Sequence, residues 1–113
     1  MGSSVASAIT TLEELNGILD KAYWEASAIN AKDAIYDCIS CLSKELSELN
    51  KLSIQDHDLP YEPVSYEFKS ITRRLTIFRK YLDSYIMRSS TIENLDRSIS
   101  STLQLINQEP VKE

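Results

Sequence analysis

The sequence predicts an all-α protein, an elongated antiparallel helical hairpin or bundle, and three observations carry that expectation. Apolar residues recur at alternating steps of four and three from Val64 through Phe68, Ile71, Leu75, Phe78, Leu82 and Tyr85. The register continues through Ile92, Ile99 and Leu103 to Ile106, and only Ser89 and Asp96 interrupt it. Such a seam stays on one side of a helix and calls for a partner helix along most of its length. Glycine is confined to positions 2 and 17 and proline to 60, 63 and 110, so residues 18–59 and 64–109 contain neither helix breaker. Finally, a chain of 113 residues, 42% hydrophobic and 26% charged, matches one globular domain spanning 1–113.

Residues 1–7 are expected to fray. Val5, Ala8, Leu12, Leu15, Leu19, Ala22, Ala26 and Ile29 then form a seam, and Thr11 with Glu14 fits a capping box. A second seam, Ala31, Ile35, Ile39, Leu42, Leu46 and Leu49, follows in a different phase. Around the changeover, Trp24, Ile35, Ile39 and several alanines leave little of the circumference polar, as on a helix buried on nearly all sides. A turn at Asn30–Asp33 would give a four-helix bundle within one chain. However, Ala28-Ile29-Asn30-Ala31 is poor in turn formers, so one helix from about residue 8 to 53, roughly 70 Å long, is the favoured expectation. The apolar belt then suggests a homodimer that completes a four-helix bundle, with Trp24, Ile35 and Ile39 as candidate self-association residues.

Residues 54–63 read as the inter-helix loop, because the residues before Pro60 and Pro63 are pushed out of helical geometry. The second half is expected as one kinked helix or two consecutive helices. Ser90 and Glu93 suggest a capping box and hence a kink or short break at Arg88–Thr91. Asp96 falls on the apolar seam, and the favoured resolution is that Leu95 turns inward in its place. Residues 109–113 are expected to fray.

Charge is unevenly spread. The chain carries a net −5, yet residues 1–62 hold eleven acids and four bases whereas 63–113 hold six acids and eight bases, including every arginine. The overall acidity disfavours general nucleic-acid or anionic-membrane binding. No stretch approaches the roughly 20 apolar residues of a membrane span, so no membrane partner is expected and a cytoplasmic location is the default. Within about 40° of one another at 100° per residue, Lys69, Arg73 and Lys80 form a basic face opposite the seam. They are candidate partner-binding residues, together with Tyr61 in the proline-stiffened run 59–66, which alternatively caps the open end of the core.

Recognisable chemistry is sparse. Cys38 and Cys41 form a CxxC in mid-helix, away from the helix N-terminus that activates a redox thiol, so they read as small core residues. His57 between Asp56 and Asp58 reads as a solvated loop histidine. Two glycines preclude a phosphate-binding loop, and no nucleophile motif is present. Glu45-x-x-Glu48 and Glu93-x-x-Asp96 place carboxylates on adjacent helical turns, an arrangement able to hold Mg²⁺. Over these four residues, with a wider separation between the pairs, the pattern resembles the helical nucleotide pyrophosphohydrolases. That resemblance implies a Mg²⁺-dependent hydrolase only as a third reading. The first is a non-catalytic helical protein-interaction module without cofactor or metal, an adaptor, regulator, inhibitor or assembly subunit. The second is a nucleic-acid-associated regulator using the basic face, weakened by the lack of an aromatic interleaved with the bases.

Overall fold

Both halves of the chain fold as helices, and each half folds back on itself. The computed structural model describes residues 3–52, 54–86 and 88–107. Its helices are α1 (Val5–Glu25), α2 (Ile29–Leu49), α3 (Ile71–Lys80), the single-turn α4 (Leu82–Tyr85) and α5 (Ser89–Asn107), with 3-10 turns at Ile54–Asp58 and Glu67–Ser70. α1 and α3 each pack against both α2 and α5. The cross-helix pairs Tyr23–Lys32, Asp37–Arg74 and Arg79–Asp96 flank the three reversals, as antiparallel neighbours require. The result is an up-down-up-down four-helix bundle closed within one chain, with extents of 42 × 33 × 23 Å.

α1 buries Val5, Ala8, Leu12, Leu15, Leu19 and Ala22, the seam read from the sequence. Its start is anchored rather than frayed. The Ser4 hydroxyl accepts from the Ser7 amide at 3.1 Å, which caps the helix, so Thr11 and Glu14 lie inside it. Val5 N–H donates to Leu59 O and Tyr61 N–H to Ser3 O, binding the first turn to the inter-helix loop.

The continuous first helix does not form. Ala26 (φ −72°, ψ 137°) and Ala28 (φ −89°, ψ 143°) are extended, so a three-residue link ends α1 shortly before Asn30–Asp33. Seam phase explains the reversal. In one unbroken helix, Ala31 would point about 180° away from Ala22 at 100° per residue. Reversal brings both onto one core, where each is fully buried. Lys32 supplies the closure that glycine or proline would otherwise mark. Its Nζ donates to Tyr23 O at 2.5 Å and sits 4.4 Å from the Tyr23 ring centroid, placing a cation at the C-terminus of α1.

The second half divides into consecutive helices, as expected. Ile86 is extended (φ −120°, ψ 134°), Arg88 is non-helical and α5 begins at Ser89, so the break falls at the leading edge of the expected Arg88–Thr91. Crossing that break shifts the register. α5 buries Thr91, Leu95, Ser98, Ile99, Thr102 and Leu105, while Ile92 and Leu103 are only half-buried. Leu95 does turn inward, and Asp96 is exposed with its Oδ1 3.0 Å from Arg79 Nε. Glu25 pins α5 to α1 by accepting from the Thr91 hydroxyl at 2.9 Å, a carboxylate placed at a helix N-terminus. Residues 109–113 lie outside the described residues, of which no helix is long and apolar enough to cross a membrane.

Gly17 sits in the middle of α1, exposed and without a positive φ, and beyond its own helical turn no atom of the described residues lies within 4 Å of where a Cβ would stand. Gly17→Ala is therefore expected to stabilise the fold by about 0.5–1 kcal/mol through helix propensity. Urea unfolding with an unchanged m-value would check it; a loss of stability would mean that another surface approaches α1 at this point.

Candidate partner groove between α2 and α3

The groove is built around a buried carboxylate. Glu45 on α2 is fully buried. Its Oε2 accepts from the Tyr61 hydroxyl at 2.6 Å and the Val64 amide at 2.8 Å, and its Oε1 from the Ser65 amide at 2.8 Å. Ser65 in turn accepts from the Phe68 amide through its hydroxyl at 3.2 Å, which starts the turn leading into α3. One side chain of α2 thus places the whole beginning of the second half. Tyr61 is buried in this arrangement, so it caps the core and is withdrawn from partner binding. Burial first, and its hydrogen bond to Glu45 second, push the Tyr61 phenol well above its ordinary range.

Outside this anchor, α2 and α3 leave two neighbouring concavities that meet at Arg74. One, of about 370 Å³, is lined by Cys41, Tyr66, Lys69, Ser70 and Arg74, with Glu67 at its edge. The other, of about 170 Å³, lies between Ala34, Asp37 and Cys38 on α2 and Arg74, Ile77 and Tyr85 on the other side. Arg74 crosses the groove towards Asp37, with Nη1 3.7 Å from Oδ2. Both side chains are largely exposed, so this pair contributes little and can be opened by a competing anion. Large apolar side chains remain in solvent on α3 and at its two ends. Tyr66 is 83% exposed, Tyr81 50% and Ile77 47%. Ile77 falls within about 40° of Arg73 at 100° per residue, so apolar and basic side chains share the outer side of α3.

Lys69, Arg73 and Lys80 are all exposed and follow one side of this segment, as their spacing implies. One aromatic accompanies them that the sequence reading did not place there: Tyr66 shares a concavity with Lys69. The proposed self-association set is divided. Ile35 is buried in the core of its own chain and Ile39 is half-buried, because the bundle closes internally; only Trp24, 74% exposed, faces solvent. Tyr66 and Ile77 were not singled out from the sequence as partner contacts, whereas Arg74 widens the basic stripe read there. A signal for Tyr66 and Ile77 existed in their three- and four-residue spacing from Lys69, Arg73 and Lys80.

The hydrolase arrangement implied by the paired acidic motifs is not assembled. Both Glu45 oxygens are occupied by donors, Asp96 pairs with Arg79, and the two motifs lie on α2 and α5, which each pack against α1 and α3. Among the described residues no three His, Cys, Asp or Glu side chains are gathered as a metal site. Cys38 and Cys41 are buried free thiols beneath the groove. Burial, reinforced by Cys41 and opposed by Arg74, pushes the Cys38 thiol up to about 12, and burial likewise raises Cys41. His57 is half-buried rather than solvated, and its Nε2 has no hydrogen-bond partner among the described residues.

Tyr61→Phe is expected to destabilise the bundle by about 1–2 kcal/mol, and Glu45→Ala, which strands three buried donors, by about 3 kcal/mol or more. Chemical denaturation measures both, and a Glu45→Ala chain as stable as the parent would remove the anchoring role. At pH 8 the Cys38 thiol is expected to resist iodoacetamide while the chain is folded and to react on unfolding, as mass spectrometry of the labelled peptide would show. In comparisons with protein-family models, curated proteins and solved structures, nothing matches this chain.

Proposed function

We propose that this protein is a non-catalytic helical interaction module that receives a segment of a protein partner in the groove between α2 and α3. One observation carries the reading. On a bundle that buries most of its apolar seam residues, Tyr66 and Ile77 stay exposed on the lining of two neighbouring concavities that share Arg74, beside Lys69, and Tyr81 stays exposed just beyond α3. Aromatic residues and arginine are the side chains that most often dominate binding energy at protein interfaces. In the same proposal, the protein works as an adaptor, regulator, inhibitor or assembly subunit, with a cytoplasmic location as its natural setting. Self-association is a second reading, supported by exposed Trp24 and Ile29 beside the α1–α2 link.

Selection from a random-peptide display library tests the groove without presuming the ligand's charge. Enriched peptides are expected to lose at least about tenfold in affinity for a Tyr66→Asp, Ile77→Ser chain that retains its circular-dichroism spectrum and melting temperature. Peptides that bind parent and variant equally would move the site elsewhere, and a library without enriched peptides would sink the reading. For self-association, light scattering is expected to show twice the chain mass, and one chain mass after Trp24→Ser.

A further inference from the structure

We infer that the occupant of this groove is an acidic amphipathic helix, an inference that rests on the groove reading above and adds the chemistry of the partner. Charge is segregated in the bundle between helices that do not neighbour each other. α3, Ile-Thr-Arg-Arg-Leu-Thr-Ile-Phe-Arg-Lys, contains four bases and no acid, whereas the exposed acids of α1 include Glu13, Glu14 and Asp20. Lys69 extends the basic run into the preceding 3-10 turn. Of the acids at the groove, Glu67 edges the larger concavity, and Asp37 is turned towards Arg74. A ligand in the groove therefore meets Lys69 and, once an incoming carboxylate competes with Asp37, Arg74; Arg73 stands on the adjoining outer side of α3, and Lys80, which lines the cleft towards α5, adds to the positive field from farther off.

The shape of the site selects among anionic ligands. Tyr66, Ile77 and Tyr81 require apolar groups from the ligand at helical spacing, which a uniformly charged strand does not supply. A concavity between two helices accommodates the ridge of a third more readily than the plane of a bilayer. The ten residues of α3 span about 15 Å, matching roughly three turns of a partner helix. Rim cations of this kind steer the approach and orient the ligand, while the apolar residues hold it.

The test uses the full chain and fluorescence anisotropy with labelled synthetic peptides of about fourteen residues. One carries leucine at positions i, i+3, i+4 and i+7 with glutamate elsewhere; a second has the same composition scrambled out of helical period; a third replaces glutamate by lysine. The first peptide is expected to bind at least about tenfold more tightly than the other two, to weaken as salt rises, and to lose about tenfold on Lys69→Glu, Arg73→Glu, Lys80→Glu. Preference for the lysine peptide, or enrichment of neutral or basic ligands by display, would overturn the acidic chemistry while leaving the groove reading in place. Equal binding of the periodic and scrambled peptides would overturn the helix. Tighter retention on phosphatidylglycerol vesicles or single-stranded RNA than on the first peptide would overturn the choice of a protein ligand. Salt-sensitive self-association, seen by light scattering and abolished by the same triple substitution, would assign the face to a second copy instead.

Discussion

A single buried side chain, Glu45, decides where the second half of the bundle begins. Nothing in an apolar core compensates a carboxylate without donors, and a group left so would cost several kcal/mol. Here the compensation comes from residues far along the chain, the Tyr61 hydroxyl and the amides of Val64 and Ser65. Proline at 60 and 63 limits the backbone freedom of this run before it docks, which lowers the entropy cost of ordering it. Because Ser65 then receives the Phe68 amide, the anchoring passes directly into the turn that starts α3. The depth of the groove between α2 and α3, and the outward placement of Tyr66, follow from this connection.

The opposite end of the bundle is held by different physics. Lys32 closes the α1–α2 link over the last carbonyls of α1, and Glu25 reaches the first turn of α5. Each places a charge where the helix dipole favours it. α5 needs this attachment, because its inward face carries Thr91, Ser98 and Thr102 among its apolar residues. Thr102 satisfies its hydroxyl on Ser98 O, whereas the Ser98 hydroxyl is buried without a hydrogen-bond partner among the described residues. Such a face contributes less from burial than the leucines of α1, so its alignment depends more on the polar contacts at its ends.

Closing the bundle within one chain changes what its surface residues are for. Ile35 is consumed by the core and Tyr61 by the loop anchor. The large apolar residues that remain exposed lie on α3 and its approach, where bases accompany them, at Trp24 and Ile29 beside the α1–α2 link, at Tyr36 on α2, and at Leu52, Ile54 and Leu59 in the loop that follows α2. The buried thiols of Cys38 and Cys41 lie beneath the groove with their ionisation suppressed, as packing groups do.

By itself the sequence determined the helical class, the buried stripes of α1 and of the segment from Phe68 to Leu82, the loop between the halves, and the basic side of α3. These are legible because each depends on periodicity or on proline within a few turns of chain. Two reversals and one anchor were decided only by tertiary structure. The link at Ala26–Ala28 contains no residue that demands a turn; it exists because two seams of opposite phase can share a core only if the chain folds back, helped by Lys32 from beyond the link. Ser90 and Glu93 mark a second break, but that the chain reverses there was not legible, since a heptad register that continues through Ser89 does not report which neighbour each turn faces. Glu45 looked like a solvated acid or a metal ligand, because its donors lie 16 to 20 residues away and converge on it only when the loop is folded. The candidate groove combines both levels: its cations are local in sequence, and the concavity beside them exists only where α2 and α3 meet.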